Sequence, residues 1–473
     1  MAREVLLVNS NRLRPRIAPL ALEYLADALD AAGVPWRVLD LAFAEDPVAA
    51  LREGMAGADL RLIAVTFRNT DDCFGATQHS FIADLRALIR EVRAQSDAPI
   101  VLGGAGFSVA PEGLLRRTGA DFGVVGDGEG PLVRLTQSLD NEAAWPAIPG
   151  LLARRGDEVA GERPEWSPVA QDPLPRTALD NARYFAEGGQ LGIETKRGCP
   201  AGCVYCADGH SKGSRVRPRP PVAVAQEMLG LATRGLDVFH TCDSEFNCDP
   251  AHALAVCEEL ASRGAAEKLR WYAYCSPTPF GPELARAMSE AGCVGVNFGA
   301  DSGDPEMLDR LGREHTPEDI HACVEACHAA GLVVMLDLLL GGPGETPESL
   351  GRSVEVVRAS RADCAGAALG VRLYPNTPLS RSLLEKGSRK GLHGHLEENE
   401  DLALPLFYID PALGKDPVAA VKAAIAGDQR FFFGWPDDTQ ADYNYDDNPE
   451  LVEAIRDGER GAYWDILRKR RGL

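Results

Sequence analysis

Short apolar runs alternate with helix-like segments along the first third of the chain. Runs with the length and continuity of buried strands are EVLLVNS, WRVLDL, RLIAVTF, PIVLGG and ADFGVVGDGEG. Segments with apolar residues at helical spacing, such as LALEYLADALDAAG, lie between them. Strands separated by helices predict a parallel, doubly wound (Rossmann-like) α/β sheet. Ligands of such sheets bind at the carboxyl ends of the strands, so the residues at those ends are candidates for function.

A second series of strands begins near residue 190. The predicted strands cover residues 190–195, 237–241, 269–274, 294–299, 332–340 and 367–374. With helices between them, they predict a partial (β/α)6 barrel of the TIM type, whose working face is again the carboxyl end of the strands. Four parts are therefore expected: a Rossmann-like domain (1–140), a Pro- and Trp-rich linker (141–189), the barrel (190–385) and a small, mainly helical C-terminal region (386–473).

Composition narrows the possible partners. The chain carries 49 Lys and Arg against 70 Asp and Glu, a net charge of −21, which argues against nucleic-acid phosphates and anionic membranes as partners. Residues after Met1 lack the apolar region of a signal peptide, and the run LVVMLDLLLGG is too short to span a bilayer. These features predict a soluble, cytoplasmic protein. In that compartment, the 12 cysteines are expected to be metal ligands, catalytic groups or core residues rather than disulfides.

Three cysteines form the strongest motif of the sequence. RGCPAGCVYCADG places Cys199, Cys203 and Cys206 in C-x3-C-x2-C spacing directly after the first barrel strand. Three thiolates leave one iron of a four-iron cluster with an open position, which a catalytic site requires. The alternative is a structural zinc site with His210 as the fourth ligand.

Residues 190–385 resemble the radical S-adenosylmethionine (SAM) superfamily, whose signature is this cysteine triplet with an aromatic residue, here Tyr205, before the last cysteine. The resemblance implies a [4Fe–4S] cluster held by the three cysteines. It also implies that the open iron chelates the amino and carboxylate groups of SAM, whose reductive cleavage gives a 5′-deoxyadenosyl radical.

The resemblance further implies contacts to the amino-acid part of SAM. The turn CDSEFN supplies Asp243, Ser244 and Glu245, where the family uses a Gly-Gly-Glu-like turn to bind the amino group. Arg313, in LGREHT, matches an arginine near the cofactor carboxylate.

Two more strand ends match family positions around the nucleoside of SAM. NFGADSG places Asp301 and Ser302 where relatives carry Glu-Ser, and the acidic group suits a ribose hydroxyl. Asp replaces the usual Glu and shortens the reach of this contact. GGPGET, which contains Gly341 and Gly342, resembles the glycine-rich turn beside the adenine.

The first domain resembles the cobalamin-binding subfamily. Its pattern has a Gly-Gly turn, here Gly103 and Gly104, and a later Gly-Glu turn, here Gly128 and Glu129, which together imply a cobalamin site. The Asp-x-His-x-x-Gly motif is absent, and the first loop, NSNRLRPR, has no histidine, so the cobalt is expected to lack a protein histidine ligand. Arg68, in TFRNTDD, is a candidate for the lower face of the corrin. Alternatively, Arg68 contacts an anion or an amide, or forms a surface salt bridge. The alternative to cobalamin binding is that the domain has lost its ligand.

Six residues are candidates to line the substrate cavity or take part in catalysis because they lie at strand ends or in a polar aromatic segment. They are Tyr272, Tyr274, Cys275, Tyr374, Tyr443 and Tyr445.

The function expected from these features is that of a cobalamin-dependent radical SAM methyltransferase. It would methylate an unreactive carbon of a small molecule, phosphorus being the less favoured target, with electrons from a donor such as flavodoxin or ferredoxin. One alternative is a cyclase, ring-contracting enzyme or oxidoreductase of the same subfamily. A second alternative is an enzyme that modifies tRNA or ribosomal protein, and a third is a non-catalytic iron–sulfur or zinc protein. Oligomeric state and substrate identity are left open.

Overall fold

The computed structural model describes residues 3–166, 168–385, 389–435 and 447–473. Its N-terminal sheet has seven strands in the order β2-β1-β3-β4-β5-β6-β7. The strands are β1 (Glu4–Asn9), β2 (Trp36–Asp40), β3 (Leu60–Thr66), β4 (Ile100–Gly103), β5 (Phe122–Val124), β6 (Leu151–Arg155) and β7 (Glu158–Gly161). The helices of this part are α1 (Leu20–Ala31), α2 (Pro47–Met55), α3 (Ile82–Gln95), α4 (Ala105–Val109), α5 (Pro111–Thr118), α6 (Glu129–Ser138) and α7 (Asn181–Gly188).

Strands β1 to β5 are parallel, as the alternating pattern predicts. The predicted linker contains more structure than expected, because β6 and β7 form a hairpin that pairs antiparallel with β5 and extends the sheet. Periodicity missed this hairpin, since β6 is only partly buried and β7 is mostly exposed at the edge of the sheet.

A second seven-stranded sheet forms the barrel, with all neighbours parallel. Its order is β19-β15-β14-β13-β12-β11-β8, where β19 is Phe431–Phe432. The strands of residues 191–372 are β8 (Leu191–Ile193), β9 (Lys196–Arg197), β10 (Arg217–Pro218), β11 (Val238–Thr241), β12 (Arg270–Cys275), β13 (Cys293–Asp301), β14 (Val333–Leu340), β15 (Cys364–Leu369) and β16 (Val371–Arg372). The helices are α8 (Asp208–Lys212), α9 (Pro221–Ala232), α10 (Pro250–Ser262), α11 (Pro282–Glu290), α12 (Pro305–Leu311), α13 (Pro317–Ala329), α14 (Pro347–Ser360) and α15 (Pro378–Leu384).

Local sequence explains why several barrel helices begin where they do. In α10, α12, α13, α14 and α15 an Asp or Thr precedes a proline at the first helical position, and its side chain accepts a hydrogen bond from a backbone N–H of the first turn. Proline has no N–H to leave unsatisfied there, and the cap pairs one of the free donors. Each strand is thereby followed by a defined loop at the carboxyl edge, where function is expected.

The C-terminal region is less purely helical than predicted. It contains β17 (Leu392–Gly394), β18 (Leu406–Tyr408), β19 (Phe431–Phe432), α16 (Pro417–Ile425), α17 (Pro449–Arg456) and α18 (Tyr463–Arg470). β16, β18 and β17 form a small antiparallel sheet, and β19 adds a seventh strand to the barrel. α17 and α18 close the amino end of the barrel, where Leu451, Trp464 and Leu467 pack against residues from the starts of strands. Within the described residues, no helix has the length and apolar character needed to cross a membrane.

Candidate active site

Loops at the carboxyl edges of the two sheets contact each other. Arg372, just after the sixth barrel strand, donates to Asp71 of the loop that follows β3, at 2.9 Å between Nη2 and Oδ2. Both side chains are almost fully buried (3% and 1% exposed), so this pair fixes the two parts against each other. Beside it, the thiol of Cys73 lies 3.5 Å from the hydroxyl of Tyr374. The predicted cavity residue Tyr374 is therefore at the junction of the two sheets.

The cysteine loop lies at this edge, directly after β8 and β9. Gly198 has φ +83°, and a Cβ there would lie 2.0 Å from the carbonyl oxygen of Arg215, so only glycine allows the loop to turn this closely. The N–H of Cys199 donates to the carbonyl of Gly213 at 3.1 Å, and the N–H of Val204 donates to that of Leu311 at 3.0 Å. These bonds fix the two ends of the loop.

The loop presents sulfur atoms to donors suited to thiolates. Arg313 donates to Sγ of Cys203 at 3.1 Å, and the N–H of Asp208 donates to Sγ of Cys206 at 3.4 Å. Cys199, Cys203 and Cys206 are all free, and burial raises the pKa of Cys206 to about 12, so a thiolate there needs a cation such as iron. Among the described residues, no three His, Cys, Asp or Glu side chains are close enough together to hold a single metal ion. Three cysteines in one loop, two of whose sulfur atoms accept hydrogen bonds from N–H groups, fit an iron–sulfur cluster.

A compact charged group adjoins Cys203. The guanidinium of Arg313 lies 3.3 Å from Oδ2 of Asp301 and 3.7 Å from Oε1 of Glu245, and the hydroxyl of Tyr205 donates to Asp301 at 2.5 Å. Burial raises the pKa of Glu245 to about 7, because Arg313 offsets only part of the cost of desolvation, and burial also raises the pKa of Asp301. Because two carboxyl groups share one arginine, a further positive charge would be electrostatically favourable beside them.

Two residues predicted to contact SAM have hydrogen-bond partners within the protein. Asp243 accepts from the N–H of Thr195 at 2.9 Å and from its hydroxyl at 2.5 Å, which ties β8 to the end of β11. Ser244 donates to Asp208 at 2.6 Å.

Ser302 is fully buried, with its hydroxyl 2.9 Å from that of Ser353. The hydroxyl of Ser302 thus joins β13 to α14 within the core, and its place in the SAM site stays a prediction.

The glycine-rich turn after β14 is tightly packed. Gly341 has φ +86°, and a Cβ on Gly341 or Gly342 would lie 3.2 Å from a side-chain carbon of Leu369 or Met307. Beneath the turn, Ser349 donates to Oε1 of the buried Glu345. These glycines let the turn pass close to neighbouring side chains. Because glycine has no side chain, the turn can offer only its backbone to a ligand.

The glycines of the first sheet have similar packing roles. Gly103 ends β4, and Gly104 has φ +104° with a Cβ position only 2.6 Å from the carbonyl oxygen of Phe67. The loop that carries Arg68 can therefore lie directly on the start of α4. Gly128 stands just before α6, and a Cβ there would lie 3.1 Å from Leu25.

Glu129 belongs to an ion-pair network between the first sheet and the barrel. It lies 2.7 Å from Arg197, which also lies 3.2 Å from Asp127 and 2.9 Å from Glu194. Burial opposes ionisation of Glu129, yet Arg197 outweighs it and holds the pKa of Glu129 below its ordinary value. Through Arg197 the carboxylate of Glu129 joins the first sheet to the barrel in an ion-pair network, and its contact to cobalamin stays a prediction.

The predicted catalytic residues separate into three groups. Tyr272 is buried and donates to Asp465 of α18 at 2.8 Å, and Cys275 is buried in the main core, so both pack within the protein. Tyr274 is 42% exposed although it is on a barrel strand, and its side chain faces the interior next to the ring of His240, with ring centroids 4.5 Å apart. Tyr443 and Tyr445 lie outside the described residues.

Sequence reasoning missed His240 and Cys242 on the inner face of β11. Cys242 is exposed, yet desolvation raises its pKa to about 11, with the nearby Glu194 adding to the shift and Arg68 opposing it. Arg68 thus comes from the first sheet to the same space that Cys242 enters from the barrel. The sequence pattern that could have located both residues is the strand VFHTC, because side chains alternate between the two faces of a strand and every second one points inward.

Comparison with known proteins identifies the class. The Radical SAM superfamily model matches residues 193–357, and the B12 binding domain model matches residues 8–136. The chain is 32% identical to the tryptophan 2-C-methyltransferase of Streptomyces laurentii, over 99% of this chain and 96% of that protein. The chain therefore belongs to the cobalamin-dependent radical SAM methyltransferases.

Two solved structures of the methyltransferase TsrM from Kitasatospora setae match the whole fold. The complex with tryptophan and a SAM analogue has a TM-score of 0.92 and 33% identity, and covers 100% of this chain and 99% of that chain. The complex with cobalamin and a [4Fe–4S] cluster has a TM-score of 0.91 and 32% identity, and covers 100% and 98%. The predictions of the α/β fold class, the three cofactors, a small-molecule substrate and carbon methylation are confirmed.

When bound, the cluster, SAM and cobalamin supply the electrons and the methyl group of such a reaction. The chain itself offers three thiols in one loop and, beside them, the fixed charges of Glu245, Asp301 and Arg313.

Proposed function

We propose that this protein transfers a methyl group to a ring carbon of tryptophan or of a close indole relative. The single observation that carries the proposal is the similarity to a tryptophan 2-C-methyltransferase from one end of the chain to the other. The interior geometry supports it, because Tyr274 and His240 form an aromatic wall inside the barrel. Such a wall suits a planar aromatic ring, which gains both apolar burial and ring–ring contact there.

The residues proposed to hold the cluster are Cys199, Cys203 and Cys206. The hydrogen bond from Arg313 to Cys203 supports this assignment, since N–H donors stabilise sulfur ligands and raise the reduction potential of a cluster. The same arginine contacts Asp301 and Glu245, so a change at the cofactor site would be felt by the cluster.

The residues proposed to bind SAM are Glu245, Asp301, Arg313 and Tyr205, with the backbone of Gly341 and Gly342 beside the adenine. SAM carries an ammonium and a sulfonium, and the excess of buried carboxyl over guanidinium groups next to Cys203 favours such a cation. Asp243 and Ser244 would act indirectly, by fixing the turn that presents Glu245.

Arg68 is proposed to lie under the lower face of cobalamin, with Gly103, Gly104 and Gly128 shaping the edge of the first sheet. Its place beside Cys242 supports this proposal, because Cys242 follows β11 at the carboxyl edge of the barrel. A cation there would discourage an axial ligand and favour release of the methyl group.

The proposed partners are the small-molecule substrate and an electron donor such as flavodoxin or ferredoxin, with no nucleic acid and no membrane. The net charge of −21 supports the exclusion of nucleic acid and anionic lipid. All 12 cysteines are free, which supports a reducing compartment, and we propose the cytoplasm.

The test is anaerobic reconstitution with iron, sulfide and hydroxocobalamin, followed by incubation with SAM, a reductant and L-tryptophan. We expect a product one methylene heavier than tryptophan, with the methyl group on a ring carbon by NMR. The matched control is the Cys199/Cys203/Cys206→Ala variant loaded with cobalamin. A fully loaded enzyme that turns over no indole substrate would contradict the proposal.

A further inference from the structure

Lys196 lies just before the cysteine loop, in the two-residue strand β9. This strand pairs antiparallel with β10, so its two side chains point to opposite sides. Arg197 reaches the first sheet, where it lies 2.7 Å from Glu129. Lys196 points the other way, and its ammonium donates to the carbonyl oxygen of Gly198 at 3.0 Å. That carbonyl belongs to the peptide bond with Cys199, so the ammonium lies against the start of the loop that carries the proposed cluster ligands.

The burial of Lys196 is not matched by an ion pair. Three cationic side chains among the described residues are no more than 1% exposed, namely Arg176, Arg219 and Lys196. Arg176 and Arg219 both pair with Glu227, at 2.9 Å and 2.7 Å. Lys196 forms no ion pair with a carboxylate of the described chain. A buried charge destabilises a protein unless an opposite charge compensates it, so this ammonium favours the arrival of an anion.

The charge of Lys196 acts on sulfur atoms. Burial raises the pKa of the thiols of Cys199 and Cys248, and Lys196 opposes that rise, through its charge at both and through a hydrogen bond at Cys248. The buried ammonium is therefore placed to stabilise negative charge on the sulfur of this loop.

Two carboxylates near Lys196 are already engaged with other cations. The charge of Lys196 acts on Asp208 and Glu245. Asp208, however, lies 3.3 Å from the ammonium of Lys212, and Glu245 lies 3.7 Å from the guanidinium of Arg313. Neither carboxylate is as close to Lys196 as it is to its own partner, which leaves an anion in the cysteine loop as the compensating charge.

An iron–sulfur cluster in this loop would supply that anion. Thiolate ligands make such a cluster negatively charged, and its reduction adds one more negative charge. A fixed positive charge nearby attracts the reduced form more strongly than the oxidised form, which raises the reduction potential. Because Lys196 is buried, water and salt screen this attraction only weakly.

We propose that the ammonium of Lys196 is the fixed counter-charge of the iron–sulfur cluster and raises its reduction potential. The inference rests on the cluster ligands of the proposed function and is independent of the substrate. Lys196 is a positioning residue, because it acts through the cluster and the loop that holds it.

The test is a redox titration of enzyme loaded with the cluster and cobalamin, followed by the EPR signal of the reduced cluster. Lys196→Met keeps most of the side-chain length and removes the charge. At a fixed potential it should lower the ratio of reduced to oxidised cluster roughly 10-fold, which is about 59 mV for one electron. Lys196→Arg keeps the charge and should stay close to wild type. Lys268→Met removes an exposed lysine before β12, at the amino end of the barrel, and is the matched control.

Unfolding of the cluster-free protein separates the charge from packing. A buried ammonium without a counter-charge destabilises the protein, so cluster-free Lys196→Met should resist denaturant at least as well as wild type. In the cluster-loaded proteins the order should reverse, because only wild type gains the attraction. A cluster-free variant that is much less stable, together with a wild-type potential, would show that the ammonium only holds the loop and would overturn the inference.

The remaining outcomes separate the inference from the proposed function. An unchanged potential in Lys196→Met, or an equal shift in Lys268→Met, overturns the inference and leaves the proposed cluster ligands intact. If Lys196→Met folds but takes up no iron, Lys196→Arg decides: cluster uptake by this variant supports the inference, and no uptake overturns it. Absence of a four-iron spectrum from reconstituted wild type overturns the proposed ligands, and the inference with them.

Discussion

The two ends of the barrel are built for different purposes. At the amino end, Tyr272, Phe432 and Trp464 form an apolar cluster, and the hydroxyl of Tyr272 is paired with Asp465, which also binds Arg468 and Lys469. At the carboxyl end, Glu245 and Asp301 share one arginine and have raised pKa values, and Lys196 is buried without an ion pair to a described carboxylate. Side chains at the amino end therefore pack and pair with one another, whereas those at the carboxyl end keep polar groups that are not fully paired. This is the division between stability and function expected of TIM-type barrels.

The largest effect that should separate the two ends is loss of the cluster ligands. Replacing Cys199, Cys203 and Cys206 by Ala should abolish the iron–sulfur absorbance and methylation, because the cluster would lose all three of its proposed sulfur ligands. The unfolding midpoint measured without cofactors should shift by less than that of a core variant, since none of these side chains is buried. Retention of a four-iron spectrum in this variant would contradict the assignment.

Trp464→Ala should produce the opposite result at the amino end. Removing this buried side chain should lower the free energy of unfolding by about 3–5 kcal/mol, through lost apolar burial and the cavity left behind. Denaturant unfolding measures the change. The SAM affinity of the protein that remains folded should equal that of wild type, and a large loss of affinity without loss of stability would show that the two ends are not independent.

The pH dependence of SAM binding sharpens the comparison at the carboxyl end. The pKa of Glu245 is raised to about 7 in the absence of ligand, so the carboxyl is mostly neutral below pH 7 and charged above it. Affinity for the SAM ammonium should therefore increase up to roughly 10-fold between about pH 6 and pH 8 as the negative charge forms. Equilibrium dialysis with cluster-loaded enzyme measures it. Glu245→Gln should flatten the profile, and a slope that persists in this variant would exclude Glu245 as the responsible group.

The smallest effect is expected for Tyr272→Phe. The variant loses one hydrogen bond to Asp465, which keeps Arg468 and Lys469 as partners, so the free energy of unfolding should fall by about 1 kcal/mol. Tryptophan affinity and methylation should stay at the wild-type level, because the hydroxyl points to α18 rather than to the interior. A selective loss of turnover in a stable Tyr272→Phe protein would return this residue to the substrate cavity.

The sequence by itself determined the two sheets and the cysteine loop. Buried parallel strands are continuous apolar runs, and the C-x3-C-x2-C spacing is local, so both are visible within a few residues. Motif order along the barrel likewise located Glu245, Asp301 and Arg313, which the structure brings into one charged group.

Tertiary structure alone decided which groups meet. Arg313 and Cys203 are 110 positions apart, Tyr272 and Asp465 are 193 apart, and nothing in their local patterns marks them as partners. The same holds for the ion pair between Glu129 of the first sheet and Arg197 of the barrel. Periodicity reports which face of an element is buried, whereas the partner of a polar side chain depends on how distant elements pack. For this reason the burial of Lys196 without an ion pair to a described carboxylate emerged only when β9, β10 and the cysteine loop were placed together.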